Sequence, residues 1–236
     1  MSSEPLQHVT DFVDTVLHWT PDILLADNAY DSDVHALPHL PQTQSVSEYK
    51  SACKPAVRAE VFTQLSQALQ RPDKLVRPIQ ATQAVSFTPK QKTEPMGSRS
   101  ILLEFQFNTS PELRSKDFVF ISPSRRPWQE TAVICVPGLV HWEVSSKPVD
   151  SEYYKAFIEV SRDSVEDLPD LSDSRRTLNV IFLSSIASGY RILDALCDSG
   201  HSELLMDHVL RPGPVSDPFS SQIRSQDAAV VEHLST

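Results

Sequence analysis

Six short runs, QATQAVSF, SILLEFQF, KDFVFIS, TAVICV, LVHWEV and YYKAFIEV, occupy much of residues 80–160 and restrict what this chain can fold into. Each is rich in β-branched and aromatic residues, and clusters of Pro, Ser, Asn and Asp separate them, the pattern of strands divided by turns. Strands this short bury no core alone. At this spacing they favour a small barrel or a sandwich.

Helical periodicity stands on both sides of this block. From Pro5 to Trp19 the apolar residues Leu6, Val9, Phe12, Val13, Val16 and Leu17 mark an amphipathic helix, which Thr20-Pro21 stops. The stretch LLADNAYDSDVHALPHLPQT reads as a long connection. SVSEYKSACKPAVRAEVFTQLSQAL resumes helix, with Ser45 and Glu48 in capping-box spacing and Cys53, Val57, Val61, Leu65 and Leu69 four residues apart. Pro55 is expected to divide it into a short helix and a longer one. After Asp170, RTLNVIFLSSIASGYRILDAL carries Leu178, Ile181, Phe182, Ile186, Tyr190, Leu193 and Leu196 at helical spacing.

The fold predicted is therefore α+β: a small antiparallel β-barrel over residues 78–168, preceded by helices over 5–70 and followed by helices over 171–210. Residues 211–236 hold the linker RPGPVSDP and the start of a further helix in IRSQDAAVVEHLST.

Several functions find no residues to carry them. A formal charge of -10 argues against a whole-surface nucleic-acid binder, leaving only a local basic face. No run approaches the roughly 18 consecutive apolar residues that cross a bilayer, and MSSEPLQHVTDF lacks the basic segment and apolar core of a signal peptide, so an intracellular protein with no membrane partner is expected. Cys53, Cys135 and Cys197 are odd in number and far apart, which suits buried reduced thiols better than a disulfide framework or a zinc site. The five glycines are scattered singly, so no phosphate-binding loop is present, and there is no serine-hydrolase elbow. His35 and His39 stand four apart, but Pro38 opposes the helix that would align them as metal ligands. Asp27, Asp31 and Asp33 lack the glycine and terminal Glu of a calcium loop and read as a solvated acidic loop.

Arg114, Lys116, Arg125 and Arg126 border the strand DFVFIS, and Trp128 follows closely. Cations beside an aromatic are what a nucleic-acid backbone and a stacked base require; the same residues also make an ordinary charged barrel rim.

Taken in order, four segments resemble the region before the motor in the senataxin family of superfamily 1 helicases. VSEYKSACKPAVRAEVFTQL is similar to that family's V-x-x-Y-x-x-x-F-x-P-L segment through Val46, Tyr49 and Pro55. KDFVFIS is similar to its barrel strand NDLVLLS, VIFLSSIASGYRILDAL to its helix LTSLTTxxREYxAL, and HSELLMDHVLRP to HxPLLxxILxP. QIRSQDAAVVEHLS then matches the family's adenine-reading LNxSQxxAV segment at Ser225, Gln226, Ala229 and Val230. Arg224 stands where the family favours Asn, and Lys54 replaces the usual acid before Pro55.

The resemblance implies that the flanking helices form a stalk fixing the barrel against a motor domain, with Leu178, Phe182, Ile186, Tyr190 and Leu193 packed on Val57, Val61 and Leu65. It implies RNA or DNA, and the parent helicase's motor domain, as partners; a nuclear location follows from it alone. Gln226 would read the adenine of ATP only where a motor follows; otherwise it is a solvent-facing helix residue. ATP and magnesium belong to a full-length parent. This chain, with no phosphate loop, holds no cofactor and is not itself expected to be an enzyme. The alternative is a protein-protein interaction module derived from a helicase barrel.

Overall fold

The computed structural model describes residues 4–26, 46–70, 78–81, 83–87, 99–130, 133–144, 153–166, 168 and 178–197. The helices are α1 (Glu4–Val16), α2 (Pro21–Leu25), α3 (Val46–Gln70), α4 (Arg162–Val165) and α5 (Ala187–Cys197). The strands are β1 (Pro78–Ala81), β2 (Gln83–Phe87), β3 (Ser100–Phe107), β4 (Asp117–Ser122), β5 (Val136–Val144), β6 (Tyr154–Ser161) and β7 (Leu178–Ser185), with a 3-10 turn at Pro127–Gln129. The linker, the acidic loop, His35, His39 and the segment carrying Gln226 lie outside the described residues.

All neighbouring strands are antiparallel, in the order β1-β7-β4-β5-β6-β3-β2. The two edge strands are separated in sequence by one residue. In a flat sheet of this order they would stand about 29 Å apart, six inter-strand spacings, whereas a two-residue step spans at most about 7 Å. The sheet is therefore curled into a small barrel whose two edges meet at one bent segment.

Alternation within the strands sorts side chains between two cores. Leu103, Phe105 and Phe107 of β3, Val119 and Ile121 of β4, Val140 of β5, and Ala156, Ile158 and Val160 of β6 fill the barrel interior. Phe118 and Phe120 of β4, Leu139 of β5, and Ile181 and Leu183 of β7 point outward instead, into a second core shared with the helices. There α1 lays down the expected face, Val9, Phe12, Val13 and Val16. α3 adds Val61, Phe62, Leu65 and Leu69, and α5 adds Tyr190 and Leu193. Trp19 meets Phe62 edge-on at 5.3 Å, and Gln64 Nε2 ties α3 to β7 by donating to Ser184 Oγ and the Ser185 carbonyl at 2.7 and 3.0 Å. This α+β architecture, a curled antiparallel sheet flanked by helices, is the expected one.

The boundaries differ from expectation in three places. Residues 178–185 are strand rather than helix, so Leu178 and Phe182 belong to the barrel interior and only Ile186, Tyr190 and Leu193 pack against Val61 and Leu65. A strand buried on both faces is apolar nearly throughout, so LNVIFLSS also satisfies a helical stripe by accident. The pairing of β7 with both β1 and β4 decides the matter. QATQAVSF becomes two strands at opposite edges of the sheet, and TAVICV contributes only Val136 to β5. Pro55 does not divide α3, which is continuous. Pro55 and Ser51 are both exposed, so the Ser51 carbonyl that loses its intrahelical donor faces water.

α3 and α5 approach closely at Gly189, where an added Cβ would come within 2.3 Å of Val61 Cγ2. A stiff β-branched side chain cannot yield that distance cheaply. Gly189→Ala is expected to lower unfolding free energy by about 1–3 kcal/mol even though Ala gains about 1 kcal/mol over Gly in helix propensity. Combining it with Val61→Ala should cost less than the two single changes added together, read from urea unfolding midpoints. Additive losses would place the strain elsewhere.

Candidate nucleic-acid interface

β4 organises the cationic residues read from the sequence, and its two ends treat them differently. At its start the chain turns through Glu112 and Lys116, both with positive φ, 53° and 68°. The Lys116 amide donates to the Val140 carbonyl at 2.8 Å, and its own carbonyl accepts from the Ile186 amide at 2.9 Å, joining β4, β5 and the start of α5. Its side chain is only 7% exposed, and its ammonium lies 4.3 Å from the centre of the Tyr190 ring. Lys116 is thus an internal clasp, and this burial removes it from any surface that a phosphate could reach. The cation left exposed at this end is Arg114, two residues from the exposed carboxylate of Glu112.

Asp117, next to Lys116, accepts from the Arg114 amide at 2.8 Å. Burial holds its carboxyl above the usual carboxylate range, opposed by the Arg114 amide, the Ser185 hydroxyl and the Arg114 charge.

Beyond the other end of β4, about 20 Å away along a six-residue strand, serines build a tight turn. Ser122 Oγ donates to the Ile134 carbonyl at 2.7 Å and accepts from the Ser124 amide at 3.2 Å, and Ser124 Oγ in turn accepts from the Arg126 amide at 3.1 Å. Asn179 Nδ2 holds the Pro123 carbonyl at 3.0 Å. Arg125 and Arg126 stand exposed on this turn. Trp128 does not join them as a stacking face: it is half-buried against the helix-facing core, with its Nε1 enclosed. Of the five residues the sequence singled out, the fold brings only Arg125 and Arg126 together at the surface.

A buried polar cluster went unnoticed in the sequence. Glu159 on β6 is fully enclosed, Ser100 Oγ of β3 donates to its Oε1 at 2.5 Å, and His141 Nδ1 of β5 lies 3.7 Å from its Oε2. The register of β5 against β6 shifts between Val140 and Trp142, which makes His141 the extra residue of a bulge. Glu104 on β3 forms an ion pair with Lys155 on β6 at 2.7 Å. The chemistry of the cluster is not that of a nucleophile relay: a relay puts His between the hydroxyl and the acid, and here the carboxylate sits in the middle. Period-2 alternation in SILLEFQF and YYKAFIEV would have flagged Glu104 and Glu159 as off the interior face; no sequence signal locates a bulge.

Among the described residues no three His, Cys, Asp or Glu side chains gather as a metal site. Cys53, Cys135 and Cys197 form no disulfide; Cys197 is buried, and Cys53 and Cys135 are half-buried. Burial, with the Asp22 carboxylate adding to it, pushes the Cys135 thiol far up. No described helix is long and apolar enough to cross a membrane. Comparison with known proteins finds no family model that matches the chain and no curated protein that matches it.

Two outcomes follow from the start of β4. A double-mutant cycle with Lys116→Met and Tyr190→Leu should give a coupling of about 0.5–2 kcal/mol by urea unfolding; zero coupling would deny the clasp. Asp117 has a raised pKa in the fold, so its ionised form weakens stability at neutral pH, and that loss is relieved as pH falls through the raised value. Relative to Asp117→Asn, the wild-type protein should gain stability on acidification toward pH ~4, which paired thermal melts across that range would detect.

Proposed function

We propose that the chain is the accessory barrel-and-stalk region of an ATP-dependent helicase of the senataxin type, contacting nucleic acid and setting the position of a barrel against a motor domain. One observation carries this reading beyond the motif resemblance: helices from both sides of the barrel segment, α3 and α5, pack on each other and on the β4 and β7 face of the barrel through Val61, Leu65, Tyr190 and Leu193. An arrangement of that kind turns the barrel and its helices into one lever. The chain contributes no catalysis in this reading. ATP and magnesium would act in a parent's motor, where Gln226 would read adenine, and nuclear location rests on the resemblance.

Nucleic-acid contact on the barrel then falls to Arg125 and Arg126, with Arg114 as a separate contact at the far end of β4. A second reading, a protein-interaction module, draws support from the burial of Lys116, which leaves the rim poorly charged in a chain of net charge -10.

Fluorescence anisotropy with a labelled single-stranded RNA 15-mer at several salt concentrations separates the two. The helicase reading expects log affinity to fall with log salt, with Arg125→Ala/Arg126→Ala making the slope shallower by about 1.4, two phosphate contacts at about 0.7 each. Absence of RNA affinity even at low salt would leave the protein-interaction reading.

A further inference from the structure

The turn beyond β4 holds two serines in different situations. Ser122, which precedes Pro123, is fully buried, and its hydroxyl is engaged by the Ile134 carbonyl and the Ser124 amide. That closes it to any modifying enzyme while β4 is formed. Ser124 stands two residues past the pairing of Ser122 with Asn179 that ends β4, half-buried between exposed Pro123 and exposed Arg125. Its hydroxyl donates to the Glu130 carboxylate and accepts from the Arg126 amide at 3.1 Å.

The cations beside Ser124 are uncommitted. Among the described residues no carboxylate lies within ion-pair distance of Arg125 or Arg126. The one acid within residues 122–130 is Glu130, and it is bonded to the Ser124 hydroxyl instead. A phosphate on Ser124 Oγ would begin beside the Arg126 amide, with two exposed guanidinium groups one and two residues further on. It would bring about -1.5 to -2 charges at neutral pH and three strong acceptor oxygens, which arginine pairs with bidentately. It would also have no proton to give Glu130 and would repel it, so the turn would exchange a serine-glutamate bond for serine phosphate on arginine.

We infer that Ser124 is a phosphorylation site whose phosphate closes onto Arg125 and Arg126. Ser124 Oγ attacks the γ-phosphorus of a nucleoside triphosphate: the Oγ–P bond forms, the bond from that phosphorus to the β–γ bridging oxygen breaks, and the nucleoside diphosphate leaves. The hydroxyl proton passes to the kinase's carboxylate base. Cations directly after the acceptor suit a serine kinase whose groove is acidic on that side. The consequence rests on the nucleic-acid reading above: arginines held by their own phosphate are withdrawn from that of RNA, so the modification releases the barrel.

The test has three parts. Wild type and Ser124→Ala are incubated with γ-labelled ATP and a purified serine kinase selective for cations after its acceptor; label is expected in the wild type and lost in Ser124→Ala. Protein phosphorylated on Ser124, made by incorporating phosphoserine during translation, is titrated by phosphorus NMR with and without Arg125→Gln/Arg126→Gln. The second ionisation of the phosphate should fall at lower pH with the arginines present. Labelled single-stranded RNA 15-mer is then bound between 50 and 200 mM salt, with circular dichroism confirming the fold of each protein. Phosphorylated protein should lose about 7-fold less affinity across that range than the unmodified form, the effect of two lost phosphate contacts. Label undiminished in Ser124→Ala, or a phosphate ionisation indifferent to the arginines, would overturn the inference. So would RNA binding that phosphorylation leaves unchanged. Pairing of the phosphate with the arginines in a protein whose unmodified form binds no RNA would support the modification site and overturn the nucleic-acid reading instead.

Discussion

One residue between β1 and β2 sets the shape of the molecule. Because the two strands pair with β7 and β3 respectively, the last and first long strands of the barrel are held together through a single short segment, and the sheet has no freedom to lie flat. Curling gives it an inside and an outside, and the rest follows from that division. Gly138 shows how tightly the inside is filled, since a Cβ there would sit 2.7 Å from Ile158 Cγ2. The outside of β4 and β7 carries Phe118, Phe120, Ile181 and Leu183, an apolar face that must be covered. α1, α3 and α5 cover it, and this fixes the helices to the barrel more firmly than the loops between them could.

How much was legible in the sequence depended on how many faces each element buries. α1 buries one stripe, and its apolar spacing predicts it to within a few residues. β3 and β6 alternate clearly enough to be found. β7 is buried on both faces, and its near-continuous apolar run fits helix and strand equally; only the partners on either side of it choose. The split of residues 78–87 into two edge strands depends on closure, which no local window contains. Pro55 illustrates the converse, a strong local breaker overruled because its missing hydrogen bond falls on the wet side of a helix otherwise held by its neighbours.

The candidate sites follow the same logic. Charge in a sequence says nothing of direction, and Lys116 points inward because a left-handed turn and two backbone hydrogen bonds place it beneath Tyr190. Trp128 likewise serves the core.

Closure through residues 78–87 also governs the order in which the chain can become native. The edge β1 finds its partner about 100 residues later in β7, so no arrangement of earlier strands completes the barrel. At ribosomal rates of about 5–20 residues per second, β1 waits roughly 5–20 s for that partner. During this interval its backbone donors and acceptors, and the apolar strands behind it, are open to whatever else is in the cell. Such a topology leaves strand edges that the finished barrel pairs unpaired for as long as synthesis of the intervening chain lasts.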